Sequence, residues 1–203
     1  MSDQRFTTDW LRERFARPLP YEPHTHGDGS LLKPGEPLRA ASVLVALVER
    51  TDGPTVLFTR RTAHLHDHAG QISFPGGRAE PEDLTAHHTA LRETEEEIGL
   101  ARHHVEIIGS INRYTTVTGY DVTPVVAIVK PPFELRLDAF EVAEAFEVPL
   151  AFLLDSRNHQ RTTVVHQGRR RQYFAMPYGQ YYIWGATAGM LMNFYRFVSA
   201  QDR

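Results

Sequence analysis

Four acidic residues fall within five positions of one segment, at Glu93, Glu95, Glu96 and Glu97. If the segment is helical, Glu93, Glu96 and Glu97 share a face, because residues three and four apart are neighbours on a helix, whereas Glu95 points away. Like charges at these spacings cost about 0.2–0.5 kcal/mol per pair. Mg²⁺ takes oxygen ligands from carboxylates and substrate phosphates. The trio is therefore a candidate site for Mg²⁺ or Mn²⁺, and a solvated charged helix face is the simpler alternative.

Basic residues and glycines stand where they would complete such a site. Arg92 is adjacent to the trio and is able to orient a carboxylate by hydrogen bonding. Upstream, a β-branched segment ends in Arg60 and Arg61, and a turn containing Gly76 and Gly77 leads toward the acidic segment. This order would place cations and closely approaching backbone beside a metal. A solvent-exposed strand end and an ordinary turn are the alternative interpretations.

The acidic segment resembles the second half of the Nudix box, Arg-Glu-apolar-x-Glu-Glu-x-Gly-apolar, over residues 92–100. Thr94 stands at the usually apolar position. Asp83 stands where the first Glu of the box belongs and is followed by one residue more than the usual seven before Arg92. In one branch of the Nudix family, which resembles coenzyme A pyrophosphatases, an Asp also occupies this position and is followed by the same extra residue.

Residues 57–77 resemble the signature of that branch, with every spacing kept through Gly70 to Phe-Pro-Gly-Gly. Phe58 replaces Leu, Thr62 replaces Ser or Ala, and His66 replaces the second Arg. Because neutral imidazole is not a bidentate guanidinium, His66 departs from the usual phosphate contact. Residues 116–124 and 141–150 also resemble this branch, and the likeness extends over about residues 40–194.

The resemblance implies a Nudix-type α/β/α sandwich with a mixed β-sheet. It also implies divalent-metal-dependent hydrolysis of the diphosphate of coenzyme A or its derivatives to 3′,5′-ADP and 4′-phosphopantetheine. The implied metal ligands are Glu93, Glu96 and Glu97. The implied catalytic residues are Glu97, Glu96, Arg92 and Glu141, with the general base open between Glu97 and Glu141. The implied substrate-binding residues are Arg60, Arg61, His66, Gly76 and Gly77.

Three other functional interpretations stay open from the sequence. The substrate could be another nucleoside diphosphate derivative, such as ADP-ribose or a dinucleotide. The chain could also be a non-catalytic, nucleotide-sensing Nudix module, although the complete acidic trio argues against it. Finally, the histidine-rich residues 64–68 resemble the metal site of metallo-β-lactamase-like hydrolases, but the motif is one residue short, so solvated loop histidines are favoured.

The elements that must position these residues alternate between strand and helix. Strands are predicted at residues 41–48, 55–59, 105–112, 123–129 and 141–148, and helices at 85–98 and 180–198. In the first helix Leu84, Leu91 and Ile98 recur every seven residues and predict a buried stripe nearly opposite the acidic trio. Aromatic residues near the C terminus are predicted to be core and not a substrate platform: Tyr181, Tyr182, Trp184 and Phe194.

Composition sets the remaining expectations. The chain has 203 residues, 41% of them hydrophobic, which is enough for a core without disulfides, and it has no cysteine for a disulfide or a thiolate zinc site. A net charge of −3 and the lack of a basic run favour a small nucleotide partner over nucleic acid. Residues 1–37 are predicted to form a helix and a Pro/Gly-rich arm, and residues 38–200 a Nudix hydrolase domain. With no secretory signal or membrane span, a cytoplasmic protein is expected, and either terminal helix would be able to form a homodimer.

Overall fold

The computed structural model describes residues 6–27, 35–64, 69–166 and 169–201. Within them the α-helices are α1 (Thr8–Ala16), α2 (Ala86–Ile98), α3 (Leu150–Leu153) and α4 (Gly185–Ser199). The strands are β1 (Arg39–Val48), β2 (Thr55–Arg61), β3 (Ile72–Ser73), β4 (Gly76–Arg78), β5 (Val105–Ser110), β6 (Tyr114–Thr115), β7 (Tyr120–Val129), β8 (Val142–Pro149), β9 (Gln160–His166), β10 (Arg169–Tyr178) and β11 (Tyr181–Trp184). No helix in these ranges is long and apolar enough to cross a membrane.

The main sheet is mixed and eight-stranded. Its central order is β3-β2-β1-β7-β5, with β4 on β1, β6 on β7 and β8 on β2. Strands β1 and β7 run parallel through their whole length, from Arg39 opposite Tyr120 to Val48 opposite Val129, whereas the other pairs are antiparallel. The predicted strands are all present, with ends that differ by one to three residues: β1, β2 and β7 are longer than predicted, β5 ends two residues earlier, and β8 is shifted by one residue. The central strands therefore fix where β4 and its glycines lie.

Each face of the main sheet is covered by helix, which confirms the predicted α/β/α sandwich. Alternate β1 residues point to opposite faces. Leu44 and Ala46 pack with Ala90 and Ile98 of α2. On the other face, the odd-numbered residues of β1 pack with Leu11 of α1 and with the apolar side of α4. The acidic helix is thus held on one side of the sheet by buried apolar contacts.

The N-terminal segment is attached to this second face. Arg14 of α1 is buried and donates hydrogen bonds to the carbonyls of Phe197 and Ala200, at the C-terminal end of α4. Farther along, the Gly27 amide donates to the Thr115 carbonyl at 3.1 Å. The described part of the arm, residues 18–27, therefore lies on the domain.

The C-terminal region differs from the predicted single helix. Residues 181–184 form β11, the edge of a three-stranded sheet with order β11-β10-β9 that the sequence analysis did not predict. Aromatic and β-branched residues favour strand here, and burial alternates: Ile183 is buried, but Tyr182 and Trp184 are 43% and 38% exposed. The prediction that Tyr182 and Trp184 belong to the core was therefore wrong.

The predicted apolar stripe on α2 is confirmed at Ile98, which is buried, but it is wrong at Leu84. Leu84 is 82% exposed, because it precedes the helix, which begins after Thr85 caps it by accepting a hydrogen bond from the His88 amide. The buried side of α2 carries Ala90, Thr94 and Ile98. These small and apolar residues bring the helix close to the sheet.

Candidate active site

Glu97 lies on the side of α2 that faces the main sheet. It is only 5% exposed, and its Oε2 accepts a hydrogen bond from the Gly76 amide of β4 at 3.1 Å. Gly76 has φ of 148° and lies against the backbone of Ser42 and Val43 in β1, where a side chain would not fit. The main sheet thus positions the backbone N–H of Gly76 so that it donates a hydrogen bond to the buried Glu97 carboxylate.

Glu93 lies one turn earlier and packs against the backbone of Gly77. A Cβ at Gly77 would overlap the Glu93 carboxylate, so a larger residue at this position would displace the Glu93 side chain. Glu96 is exposed on the solvent side of the helix. Gly76 and Gly77 therefore lie directly against the acidic helix, as their order in the sequence suggested.

Arg92 links the acidic helix to the segment before it. Its Nη1 lies 3.0 Å from both Glu93 Oε1 and Glu96 Oε2. Its Nε and Nη2 contact the two carboxylate oxygens of Asp83 at 3.2 and 2.8 Å. These bonds hold the pKa of Asp83 well below its usual range. Asp83 is thus an anchor for Arg92, a role that the sequence analysis did not give it.

Replacement of Asp83 by alanine is expected to destabilise the protein. The substitution removes a largely buried carboxylate and leaves Arg92 without its bidentate partner, which should lower the free energy of unfolding by about 2–3 kcal/mol. Urea denaturation measures this. Glu82→Ala, at the exposed neighbouring position, is the control, and equal stabilities for the two variants would show that the pair is not important.

Two further charged residues approach Glu97 from outside the helix. Arg61 of β2 lies between two acids, with Nη1 3.8 Å from Glu97 Oε1 and Nη2 3.9 Å from Glu141 Oε2. Its Nε is buried without a hydrogen-bond partner. Glu141, predicted as a candidate base, is therefore close to Arg61 and within the electrostatic environment of Glu97.

The structure separates the two adjacent arginines of β2. Consecutive strand residues point to opposite faces, and Arg60 pairs with Glu144 Oε2 at 2.8 Å, away from Glu97. Glu144 also accepts a hydrogen bond from the Tyr181 hydroxyl at 2.6 Å. Arg60 is therefore not brought to the acidic cluster. His66, the remaining predicted substrate contact, lies outside the described residues.

Burial dominates the electrostatics of the acidic cluster. Desolvation raises the pKa of Glu97 to about 8, with Glu141 and Glu93 adding to the rise and the Gly76 amide and Arg61 opposing it. The pKa of Glu93 is also raised, mainly by desolvation. A bound cation would offset this uncompensated negative charge near Glu97.

The oxygen atoms of the acidic trio are chemically suitable ligands for a hard divalent cation. Glu93, Glu96 and Glu97 provide carboxylate oxygens, the ligands that Mg²⁺ and Mn²⁺ prefer. Among the described residues, no three Asp, Glu or His side chains converge on one point as a metal would require. Arg92 engages Glu93 and Glu96 in place of a cation.

The stability of the metal-free protein is expected to fall as pH rises. Between the ordinary Glu97 pKa of 4.5 and its folded value of about 8, the folded state binds more protons than the unfolded state. The free energy of unfolding should then decrease by up to about 1.4 kcal/mol per pH unit in this window. Urea denaturation in EDTA at pH 5 and pH 8 tests this. Glu97→Gln should remove this contribution, and an unchanged pH profile in that variant would refute the assignment.

A cavity of about 1350 Å³ opens beside β4. Its lining includes Gly76 and Gly77. It also includes five arginines: Arg39, Arg61, Arg78, Arg161 and Arg171. No Asp or Glu is among the described residues that line it. A cavity with this charge favours a ligand with several negative charges.

Comparison with known proteins identifies the family. The model of the NUDIX domain matches residues 38–166. This range includes the acidic helix, β4 and Arg61. The chain belongs to the Nudix hydrolase family.

Other Nudix proteins resemble it through most of its length. The uncharacterised Nudix hydrolase NudL of Escherichia coli K12 is 40% identical over 153 residues, which cover 75% of this chain and 79% of NudL. NudL of Shigella flexneri is 40% identical over 158 residues, which cover 77% of this chain and 82% of that protein. The crystal structure of the Nudix hydrolase RenU from M. smegmatis shares the fold, with a TM-score of 0.50 and 21% identity over 64% of this chain and 82% of RenU.

The Nudix box of this chain thus has a defined geometry. Its glutamates lie on a helix anchored by Asp83 and Arg92, and Glu97 meets the Gly76 amide. The cavity arginines other than Arg61, namely Arg39, Arg78, Arg161 and Arg171, were not predicted from the sequence, because β1, β4, β9 and β10 bring them to the cavity from distant parts of the chain.

Proposed function

We propose that this Nudix hydrolase cleaves the diphosphate linkage of coenzyme A or its derivatives to 3′,5′-ADP and 4′-phosphopantetheine. The observation that carries the proposal is the cavity whose described lining residues include five arginines and no Asp or Glu, and which reaches Gly76 and Gly77 beside the Glu97 site. Coenzyme A has a phosphate in addition to its diphosphate, so it matches this excess of positive charge. The resemblance of residues 57–77 to the coenzyme A pyrophosphatase signature also supports it.

The chain's own residues define how such a substrate would be bound. Arg61 lies at the cavity wall and beside Glu97, so it would contact the diphosphate. Gly76 and Gly77 allow the diphosphate to approach the backbone, since neither has a side chain. We do not give this role to Arg60, because its guanidinium pairs with Glu144.

The proposed reaction is attack of water on one phosphorus atom of the diphosphate. Its P–O bond to the bridging oxygen breaks, and that oxygen leaves on the other phosphate. Mg²⁺ or Mn²⁺ held by Glu93, Glu96 and Glu97 would neutralise charge developing on the phosphoryl oxygens. We assign to Glu97 the acceptance of the proton from water, because it is the buried glutamate of the trio and its carboxylate lies beside Arg61 at the cavity wall. Arg92, fixed by Asp83, would keep the carboxylates in place.

Product analysis tests this proposal directly. The purified protein is incubated with coenzyme A, ADP-ribose or diadenosine polyphosphates in Mg²⁺, Mn²⁺ or EDTA, and products are identified by mass. We expect 4′-phosphopantetheine from coenzyme A with either metal and none with EDTA. Turnover of only ADP-ribose or a dinucleotide would refute the coenzyme A assignment. Nucleotide binding without turnover of any substrate would instead indicate a sensing module.

A further inference from the structure

One wall of the cavity is aromatic and comes from the three-stranded sheet. Tyr173 of β10 and Trp184 of β11 both line the cavity, with ring centroids 5.3 Å apart and planes at 63°. Trp184 remains 38% exposed although it is the largest side-chain type. Because Trp184 lines the cavity and is not packed in the core, its ring offers a surface to which a flat or apolar ligand group could bind.

Positive charge lies on the same wall. Arg161 of β9 and Arg171 of β10 line the cavity together with Tyr173 and Trp184. Arg171 and Tyr173 point to the same face of β10, and Trp184 stands opposite Ala175 on that face, whereas Arg161 stands opposite Phe174 and points to the other face. Two aromatic side chains and an arginine on one face, in a cavity whose described lining residues include no Asp or Glu, match a base that carries a phosphate on its sugar.

This wall adjoins the reaction centre. The first turn of α4, which follows Trp184 directly, is fastened to β3 by a hydrogen bond from Thr187 Oγ1 to the Ile72 carbonyl at 3.0 Å. The residue before Ile72, Gln71, accepts a hydrogen bond from the Arg61 amide at 3.0 Å. A ligand bound through its diphosphate near Arg61 would therefore have its neighbouring groups beside Trp184.

We infer that Trp184 and Tyr173 bind the adenine base of the substrate, with Arg171 providing positive charge for a phosphate on its ribose. The inference rests on the proposed function and identifies the part of the substrate that binds to this wall. The uncharged pantetheine arm fits less well, since it offers no anion to a guanidinium group that would lose water on binding.

Fluorescence tests the inference, because the chain has two tryptophans. Trp10 lies on α1, 5.5 Å from the Phe6 ring and outside the cavity lining, so Trp10→Phe leaves Trp184 as the only tryptophan, whose emission is excited selectively over that of tyrosine. Adenosine 3′,5′-bisphosphate is expected to quench Trp184 emission saturably. 4′-Phosphopantetheine and pyrophosphate are expected to leave it unchanged. Quenching by 4′-phosphopantetheine alone, or by neither product, would overturn the inference.

Kinetics provide a second readout with a matched control. Trp184→Leu is expected to raise the KM for coenzyme A about 5- to 100-fold, because stacking on the base is lost, with little change in kcat. Trp10→Leu makes the same replacement on α1, outside the lining of this cavity, so its KM should stay near wild type. Equal effects of the two variants would refute the specific role of Trp184.

Coenzyme A turnover by the wild-type protein separates this inference from the proposed function. Turnover without quenching of Trp184 by adenosine 3′,5′-bisphosphate would overturn the adenine site alone. No turnover of coenzyme A would overturn the proposed function, and the quenching experiment would then decide the adenine site by itself.

Discussion

Glu97→Gln is expected to lower kcat by about 10²- to 10⁴-fold without altering the fold. Glutamine has the same shape and keeps an oxygen that is able to accept the Gly76 N–H, so the packing of α2 on β4 should persist. It has neither the negative charge for a cation nor the basicity for a proton. The variant therefore removes the negative charge and the basicity that we assign to Glu97, whereas the local structure is retained.

Initial rates with saturating coenzyme A and Mg²⁺, together with circular dichroism, measure the effect. Glu95→Gln is the control, because Glu95 lies on the same helix but is exposed and pairs with Arg102 at 2.9 Å. Its kcat should remain close to that of the wild type. Turnover by Glu97→Gln similar to that of Glu95→Gln would exclude Glu97 from the catalytic role.

Local signals allowed much of the fold and the acidic cluster to be predicted. The central strands are apolar runs bounded by turn residues, and their patterns follow from the pleat of the sheet. The spacing of Glu93, Glu96 and Glu97 depends only on helical periodicity, so their placement on one helix was predictable. The helix ends where Gly99 adopts φ of 68°, as its position after Ile98 suggests.

Features that depend on tertiary packing were not predictable in this way. The segment before α4 contains residues that fit either a buried helix or a strand, and pairing of β11 with β10 decides for strand. The predicted stripe was wrong at Leu84 and right at Ile98, because the helix begins at Ala86 and approaches the sheet through Ala90, Thr94 and Ile98. For the same reason, helical spacing grouped Glu97 with Glu96 but did not reveal that only Glu97 is buried.

The two arginines at the end of β2 show how strand geometry assigns different roles to neighbouring residues. Arg61→Ala is expected to lower kcat/KM for coenzyme A about 10- to 100-fold, because a charge-assisted contact to phosphate is worth about 1.5–3 kcal/mol. Arg60→Ala removes only an exposed ion pair with Glu144, for which the expected effect on stability is at most about 1 kcal/mol, and its kcat/KM should stay within about twofold of wild type.

Steady-state kinetics on both variants, and on Arg61→Lys, distinguish phosphate recognition from general structural support. Lysine keeps the charge but lacks the planar fork of guanidinium, so partial recovery is expected if Arg61 binds phosphate. The Nε of Arg61 is buried without a partner, and its two Nη atoms stand 3.8 and 3.9 Å from Glu97 and Glu141, longer than hydrogen bonds. The guanidinium therefore has unused donors beside the reaction centre. Equal losses in Arg60→Ala and Arg61→Ala would contradict this assignment and place phosphate recognition elsewhere in the cavity.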